Sequence, residues 1–316
     1  SSRAFYTEPF AEYIEKLSKI SNFESVLPMN TGAEAVETAI KAARRWGYFT
    51  KGIKKNCAEI IVAEGNFHGR TTTIVGFSSE KEYKKGFGPF ADGFIEAEYC
   101  SSNCNCSKVC ENSIRSIKNA INNNTCAVIV EPIQGEGGII TPQSGWLKQL
   151  RELCNENNVL LILDEIQSGL GRTGKLFAFE HEDIKPDGLI LGKALGGGLL
   201  PVSAFLSSKE VMNHFNPGSH GSTFGGNPLA AKVASKALDL LFEDNLIENS
   251  KVMGAYLKEK LSEMNHSFIK EIRGKGLWIG VELDQGISAK KICLSLMGEG
   301  ILAKETHETV IRFAPP

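Results

Sequence analysis

The chain has 316 residues, enough for about two domains at roughly 150 residues each. Apolar residues make up 42% and charged residues 23%, a globular balance that excludes disorder or a collagen-like chain for the bulk of it. The net charge of −2 offers no basic excess for nucleic acid, and no apolar run approaches the roughly 20 residues of a membrane span, so neither nucleic acid nor membrane is expected as a partner. Both ends read as cut: Ser1 is not preceded by Met, and Pro316 follows directly on a strand-like run at 310–313. No apolar signal segment follows Ser1. A cytoplasmic location is expected, with the mitochondrial matrix as the alternative.

In chain order, short apolar runs rich in β-branched residues occur at 59–63, 126–130 and 159–163, with a shorter one at 189–191. Such runs suit strands buried on both faces. Helical patterns at 33–48, 113–122 and 145–157 lie between them. The alternation predicts an α/β fold with a mostly parallel central sheet flanked by helices. After about residue 244 the texture changes. A helix is expected at 246–265, then strands at 269–273 and 277–283, a helix at 289–298 and a last strand. The expected division is therefore a large domain over 1–244 and a smaller α+β domain over 245–316, truncated.

Three segments carry chemistry. Asn30-Thr31-Gly32-Ala33-Glu34 opens a helix, with Thr31 and Glu34 at capping-box spacing. Its exposed N–H groups make a plausible phosphate seat, although an ordinary capped helix gives the same pattern. Asp164-Glu165 follows a buried strand, where open α/β sheets bind ligands. An ionised Asp there needs a partner, and a protonated ring nitrogen would serve, as would a salt bridge or a helix cap. Lys193 repeats that geometry after 189–191 and is followed by Gly196-Gly197-Gly198. It is a candidate amine for Schiff-base chemistry, provided its free pKa of about 10.4 is depressed. A surface lysine is the alternative.

Together the segments name a family. Asn30-Thr31-Gly32-Ala33-Glu34-Ala35, Asn66-Phe67-His68-Gly69-Arg70-Thr71, Glu131-Pro132-Ile133-Gln134-Gly135-Glu136, Asp164-Glu165-Ile166-Gln167, Leu191-Gly192-Lys193-Ala194-Leu195 and Gly221-Ser222-Thr223-Phe224-Gly225-Gly226-Asn227 follow one another in this order. The chain resembles, from end to end, the class III, fold-type-I aminotransferases that use pyridoxal 5′-phosphate. Further stretches, among them Val26-Leu27-Pro28-Met29 and Lys304-Glu305-Thr306-His307 followed by Ile311-Arg312-Phe313, resemble the ornithine branch more than the acetylornithine or γ-aminobutyrate branches. Gly137-Gly138 departs toward the acetylornithine pattern.

The resemblance implies roles. Lys193 would hold the cofactor covalently and move the substrate proton. Asp164 would pair with the ring nitrogen, keeping the ring a good electron sink. Gln167 would bond the phenolic oxygen and Phe67 would stack on the ring. Gly32 and Ala33 would hold the phosphate, with Ser222 and Thr223 completing that site for the neighbouring subunit of a homodimer. Glu131 and Ile166 would also contact the cofactor. Arg70 and Arg312 would bind substrate carboxylates, which a planar guanidinium suits. Glu136 would pair with Arg312 while ornithine is bound and release it for 2-oxoglutarate. The implied activity is δ-amino transfer from ornithine to 2-oxoglutarate. The rivals are acetylornithine or γ-aminobutyrate transamination and, in another class, an inactive cofactor-binding fragment. In the family, tyrosines near the N-terminus help select ornithine, and that segment is expected to be absent here.

Cys100, Cys104, Cys106 and Cys110 depart from the family pattern. A surface insertion with reduced thiols is the first reading. Redox activity and tetrahedral Zn²⁺ binding are the others, and no metal site is expected.

Overall fold

The computed structural model describes residues 5–100 and 110–316. Its strands are β1 (Ser25–Met29), β2 (Glu59–Ala63), β3 (Phe94–Ala97), β4 (Thr125–Val130), β5 (Leu160–Asp164), β6 (Gly188–Leu191), β7 (Ser203–Ser207), β8 (Ile269–Gly274), β9 (Ile279–Leu283), β10 (Lys304–Thr306) and β11 (Val310–Phe313). The helices are α1 (Glu8–Ser21), α2 (Gly32–Phe49), α3 (Thr72–Gly76), α4 (Lys81–Lys84), α5 (Glu111–Ala120), α6 (Trp146–Glu156), α7 (Lys209–Met212), α8 (Pro228–Glu243), α9 (Leu246–Glu263) and α10 (Ala289–Gly298).

Seven strands form one sheet in the order β1-β7-β6-β5-β4-β2-β3. The run from β6 to β3 is parallel, whereas β7 runs antiparallel to both of its neighbours, β6 and β1. Successive residues of its central strands feed two different cores. Ile60, Val62, Ile129 and Ile162 pack under α2, while Ile61, Val128, Leu161 and Leu163 pack with α1, α6 and α8. Burial on both faces is why these strands read as unbroken apolar runs. Burying a Leu or Ile side chain contributes about 1.5–3 kcal/mol, so these two layers hold the strand ends in place.

A second, antiparallel sheet has the order β10-β11-β9-β8. Its own core joins Ile279, Val281, Leu283, Cys293 and Ile311, with α9 and α10 packed over it. No helix among the described residues is long and apolar enough to cross a membrane.

Candidate active site

Glu131, Asp164 and Lys193 stand at or just past the ends of β4, β5 and β6, which are neighbours and run parallel. The sheet therefore delivers all three to one edge, where α/β sheets bind ligands. A cavity of about 260 Å³ opens there, lined by Gly32, Ala33, Phe67, His68, Gly69, Glu131, Asp164, Ile166, Gln167 and Lys193. A second cavity, of about 690 Å³, shares Ile166, Gln167 and Lys193 and extends toward α8 and α9.

The start of α2 is built as its sequence suggests. Thr31 Oγ1 accepts the Glu34 amide at 3.3 Å, and the Glu34 carboxylate accepts the Thr31 amide at 2.7 Å. The amides of Gly32 and Ala33 belong to the first turn, where no intrahelical acceptor exists. A Cβ on Gly32 would stand 2.8 Å from Ile166 Cδ1, so the helix starts close over that side chain.

Asp164 is buried, with Oδ2 2.7 Å from His68 Nδ1 and Oδ1 accepting the Ile166 amide at 3.0 Å. Burial pushes the His68 imidazole down, but its hydrogen bond to Asp164 and the charges of Asp164 and Glu131 outweigh that and raise its pKa. His68 Nε2 is enclosed and has no hydrogen-bond partner among the described residues. Burial pushes the Glu131 carboxyl up to about 7, against the opposing charge of His68. That carboxylate accepts the amides of Phe67 at 3.1 Å and Gly135 at 3.3 Å, tying the Phe67 loop to the turn that carries Glu136. Glu165 points elsewhere: its oxygens accept the amides of Ala178 and Phe179 at 2.7 and 2.9 Å, and burial pushes its carboxyl up to about 8.

Lys193 lines both cavities and is exposed there, yet the protein packed around it still desolvates its amine. That desolvation lowers its pKa, against the carboxylates of Asp164, Glu131 and Glu136 and together with Arg312. Its backbone φ is +43°, in the left-handed region. Gln167 lies flat on Gly135, where a Cβ would meet Nε2 at 2.6 Å.

Arg312 Nη1 of β11 contacts Glu136 Oε1 at 2.8 Å, with the two side chains 17% and 26% exposed. Burial would raise the Glu136 carboxyl, but Arg312, Lys304 and Lys193 hold it below the usual carboxylate range. Thr306 Oγ1 donates to the Glu136 carbonyl at 2.6 Å. Arg70 is not in the wall of the first cavity. Its guanidinium lies 4.2 Å from the centre of the Tyr83 ring and 5.6 Å from that of Phe67. Ser222 Oγ accepts from Asn30 Nδ2 at 2.9 Å, and Thr223 is exposed; neither lines that cavity. Sequence reasoning quoted His68 without giving it a part, because its partner lies 96 positions away. Thr306 was likewise quoted without a part, and Arg273 was not singled out. Of the cysteine cluster, Cys104 and Cys106 lie outside the described residues. Cys100 and Cys110 are buried, and the Gln143 amide donates to Cys100 Sγ at 3.4 Å. Among the described residues no group of His, Cys, Asp and Glu is placed to hold a metal ion.

An amine and a carboxylate face one cavity beside an aromatic ring and a capped helix start, the donor set of a pyridoxal 5′-phosphate site. The chain belongs to the class-III aminotransferase family, whose pattern matches residues 1–316, and it is a pyridoxal-phosphate-dependent aminotransferase. It is 55% identical over 316 residues to the ornithine aminotransferase of Brevibacillus brevis, covering all of this chain and 76% of that protein. The ornithine aminotransferase structure from Toxoplasma gondii superposes with a TM-score of 0.94 at 40% identity, covering all of this chain and 73% of that one. The acetylornithine aminotransferase structure from Elizabethkingia anophelis gives 0.86 at 46% identity, with all of this chain and 76% of that one covered.

Proposed function

We propose that the chain is an ornithine aminotransferase, moving the δ-amino group of L-ornithine to 2-oxoglutarate to give glutamate 5-semialdehyde and glutamate. The reading rests on the Glu136–Arg312 pair, whose charges both act on Lys193, because one pocket must accept first a side-chain amine and then a side-chain carboxylate. The identity to relatives named for that activity supports it.

Pyridoxal phosphate, when bound, supplies an aldehyde for the amine and a ring that takes up the electrons of the broken C–H bond. The other tasks fall to this chain. Lys193 Nζ takes the proton from the substrate carbon that bears the amine and returns one later. Its lowered pKa favours the free base that this needs. Asp164, steadied by His68, keeps a proton on the ring nitrogen. Gln167 holds the phenolic oxygen, and Phe67 and Ile166 bound the ring's space. The amides of Gly32 and Ala33 take the phosphate. Glu131 fixes the loops around Phe67 and Gly135. Arg70 and Arg312 bind substrate carboxylates. Glu136 neutralises Arg312 while the diamine is bound and turns aside for the dicarboxylate.

Residues 1–244 form the cofactor-binding part and 245–316 the smaller part, in keeping with the two sheets. Ser222 and Thr223, on an outer loop, complete the phosphate site of a second copy in a homodimer. Light scattering tests this, and a monomer that holds cofactor at full strength overturns it.

The Elizabethkingia neighbour and Gly137-Gly138 favour a second reading, acetylornithine transfer. Initial rates with ornithine, N-acetylornithine and γ-aminobutyrate separate the two. The proposal requires kcat/KM for ornithine to lead by about tenfold or more, a gap of about 1.4 kcal/mol in transition-state binding. A lead for N-acetylornithine overturns it.

A further inference from the structure

We infer that Arg273 is a positioning residue for the Glu136–Arg312 pair, and through it for the choice of amino donor. The inference rests on the reading of that pair as the substrate gate. Arg273 of β8 stands opposite Gly280 of β9, and Gly280 stands opposite Arg312 of β11. Directly opposed residues of antiparallel strands present their side chains on one face. The row therefore carries a guanidinium at each end and no side chain between them.

The turn that holds the gate lies in that gap. A Cβ on Gly280 would stand 3.0 Å from Ile139 Cβ and 3.2 Å from the Gly138 carbonyl oxygen. Arg312 takes the Glu136 carboxylate at one end of the turn. At the other end Arg273 donates twice to the Gly138 carbonyl, from Nε at 3.0 Å and Nη2 at 2.8 Å. Gly138 has φ +115°, a conformation that glycine allows and that aims its carbonyl into this fork. Thr306 holds the Glu136 carbonyl from a third strand.

Arg273 is 4% exposed, with Glu271 at 2.8 Å and Glu282 in direct contact. An enclosed charge cluster of this kind is weak support for stability by itself, because desolvation offsets the attraction. What the cluster does give is a fork in fixed orientation. With both ends of the turn held, Glu136 leaves Arg312 by rotating its side chain rather than by moving the backbone. A looser anchor lets Glu136 meet Arg312 less of the time. Arg312 is then left open to carboxylates, and glutamate gains on ornithine as amino donor.

The test compares Arg273→Lys, Thr306→Val and Glu136→Gln holoenzymes with the parent. The ratio of half-reaction rates with ornithine and glutamate is read from the cofactor spectrum. Glutarate affinity is read by calorimetry, and Tm by melting. For Arg273→Lys, which keeps the charge and loses the fork, the ratio falls about tenfold and glutarate binds tighter, as at a bidentate site where lysine is no equal replacement. Thr306→Val moves both readouts the same way by a smaller factor, and Glu136→Gln by a larger one. If Glu136→Gln shifts the ratio while Arg273→Lys and Thr306→Val do not, this inference fails and the gate stands. If Glu136→Gln leaves the ratio unchanged, the gate reading fails and takes the inference with it. An equal loss with both donors alongside a fallen Tm makes Arg273 structural only. Should Arg273→Lys not fold, Thr306→Val decides.

Discussion

The two sheets contribute to one site in different ways. The large sheet sends Glu131, Asp164 and Lys193 out from adjacent parallel strands whose pairing fixes their spacing. The small sheet sends Arg312, Thr306 and Arg273 across to a single turn of the large part and reaches the site through it. The groups that would break and make bonds thus sit on a scaffold covered on both faces. The groups that would choose the substrate sit at a contact between two sheets. In such a division, changes on the large sheet alter whether the reaction proceeds, and changes on the small sheet alter which molecule enters it.

The largest expected effect tests the first half of that contrast. Lys193→Ala should lower turnover by about 10⁴-fold, the upper range for a general acid–base group, with loss of the visible band of covalently held cofactor. Multiple turnover at the parental rate would break the assignment. Asp164→Asn should lower the single-turnover rate by about 10²–10³-fold, as removal of a fixed electrostatic partner does. The loss should be equal for ornithine and glutamate; a loss confined to one of them would blur the contrast. Arg312→Lys should act unequally. KM for 2-oxoglutarate rises about tenfold or more, while the ornithine half-reaction stays within about threefold, because the planar fork is lost where a carboxylate must be held. Steady-state kinetics with each substrate varied in turn reads the difference.

The smallest effect concerns stability alone. Glu165 carries a carboxyl raised by burial from 4.5 to about 8, so the folded chain keeps a proton that the unfolded chain gives up. Its contribution is complete below pH 4.5 and is lost as pH rises through about 8. The slope is at most about 1.4 kcal/mol per pH unit. Glu165→Gln should flatten the stability profile in that window, as denaturant melts across it would show. An unchanged slope would remove Glu165 from the account.

The sequence disclosed most of both sheets, leaving β1, β3 and β7 of the large one and β10 of the small one unread. β2, β4, β5 and β6 read directly because both of their faces are buried. β7 escaped because Ser203 and Ser207 at its two ends cut its apolar run to Ala204-Phe205-Leu206. They are fully buried and satisfied by donating to the carbonyls of Thr31 and Asp187. β1 contains Pro28, which a central strand would not tolerate, and its place at the sheet's edge accommodates it. Asp164 and Lys193 were legible as candidates because each ends or closely follows a buried strand, whereas the other proposed cofactor residues came from the resemblance. Asp164-Glu165 looked like one acidic pair, but the chain turns between them and only Asp164 faces the cavity. The row of Arg273, Gly280 and Arg312 could not be read from local pattern, since register between distant strands is a property of the folded chain.

The left-handed backbone at Lys193 has a consequence of its own. An L-residue with a side chain is held in that region at a local cost of about 1–2 kcal/mol, which glycine would avoid. The fold would rest more easily with the least reactive residue at the position where the proposed chemistry would need a primary amine. Selection for robustness and selection for activity pull this position in opposite directions, and the surrounding layers must be firm enough to settle the contest in favour of the amine.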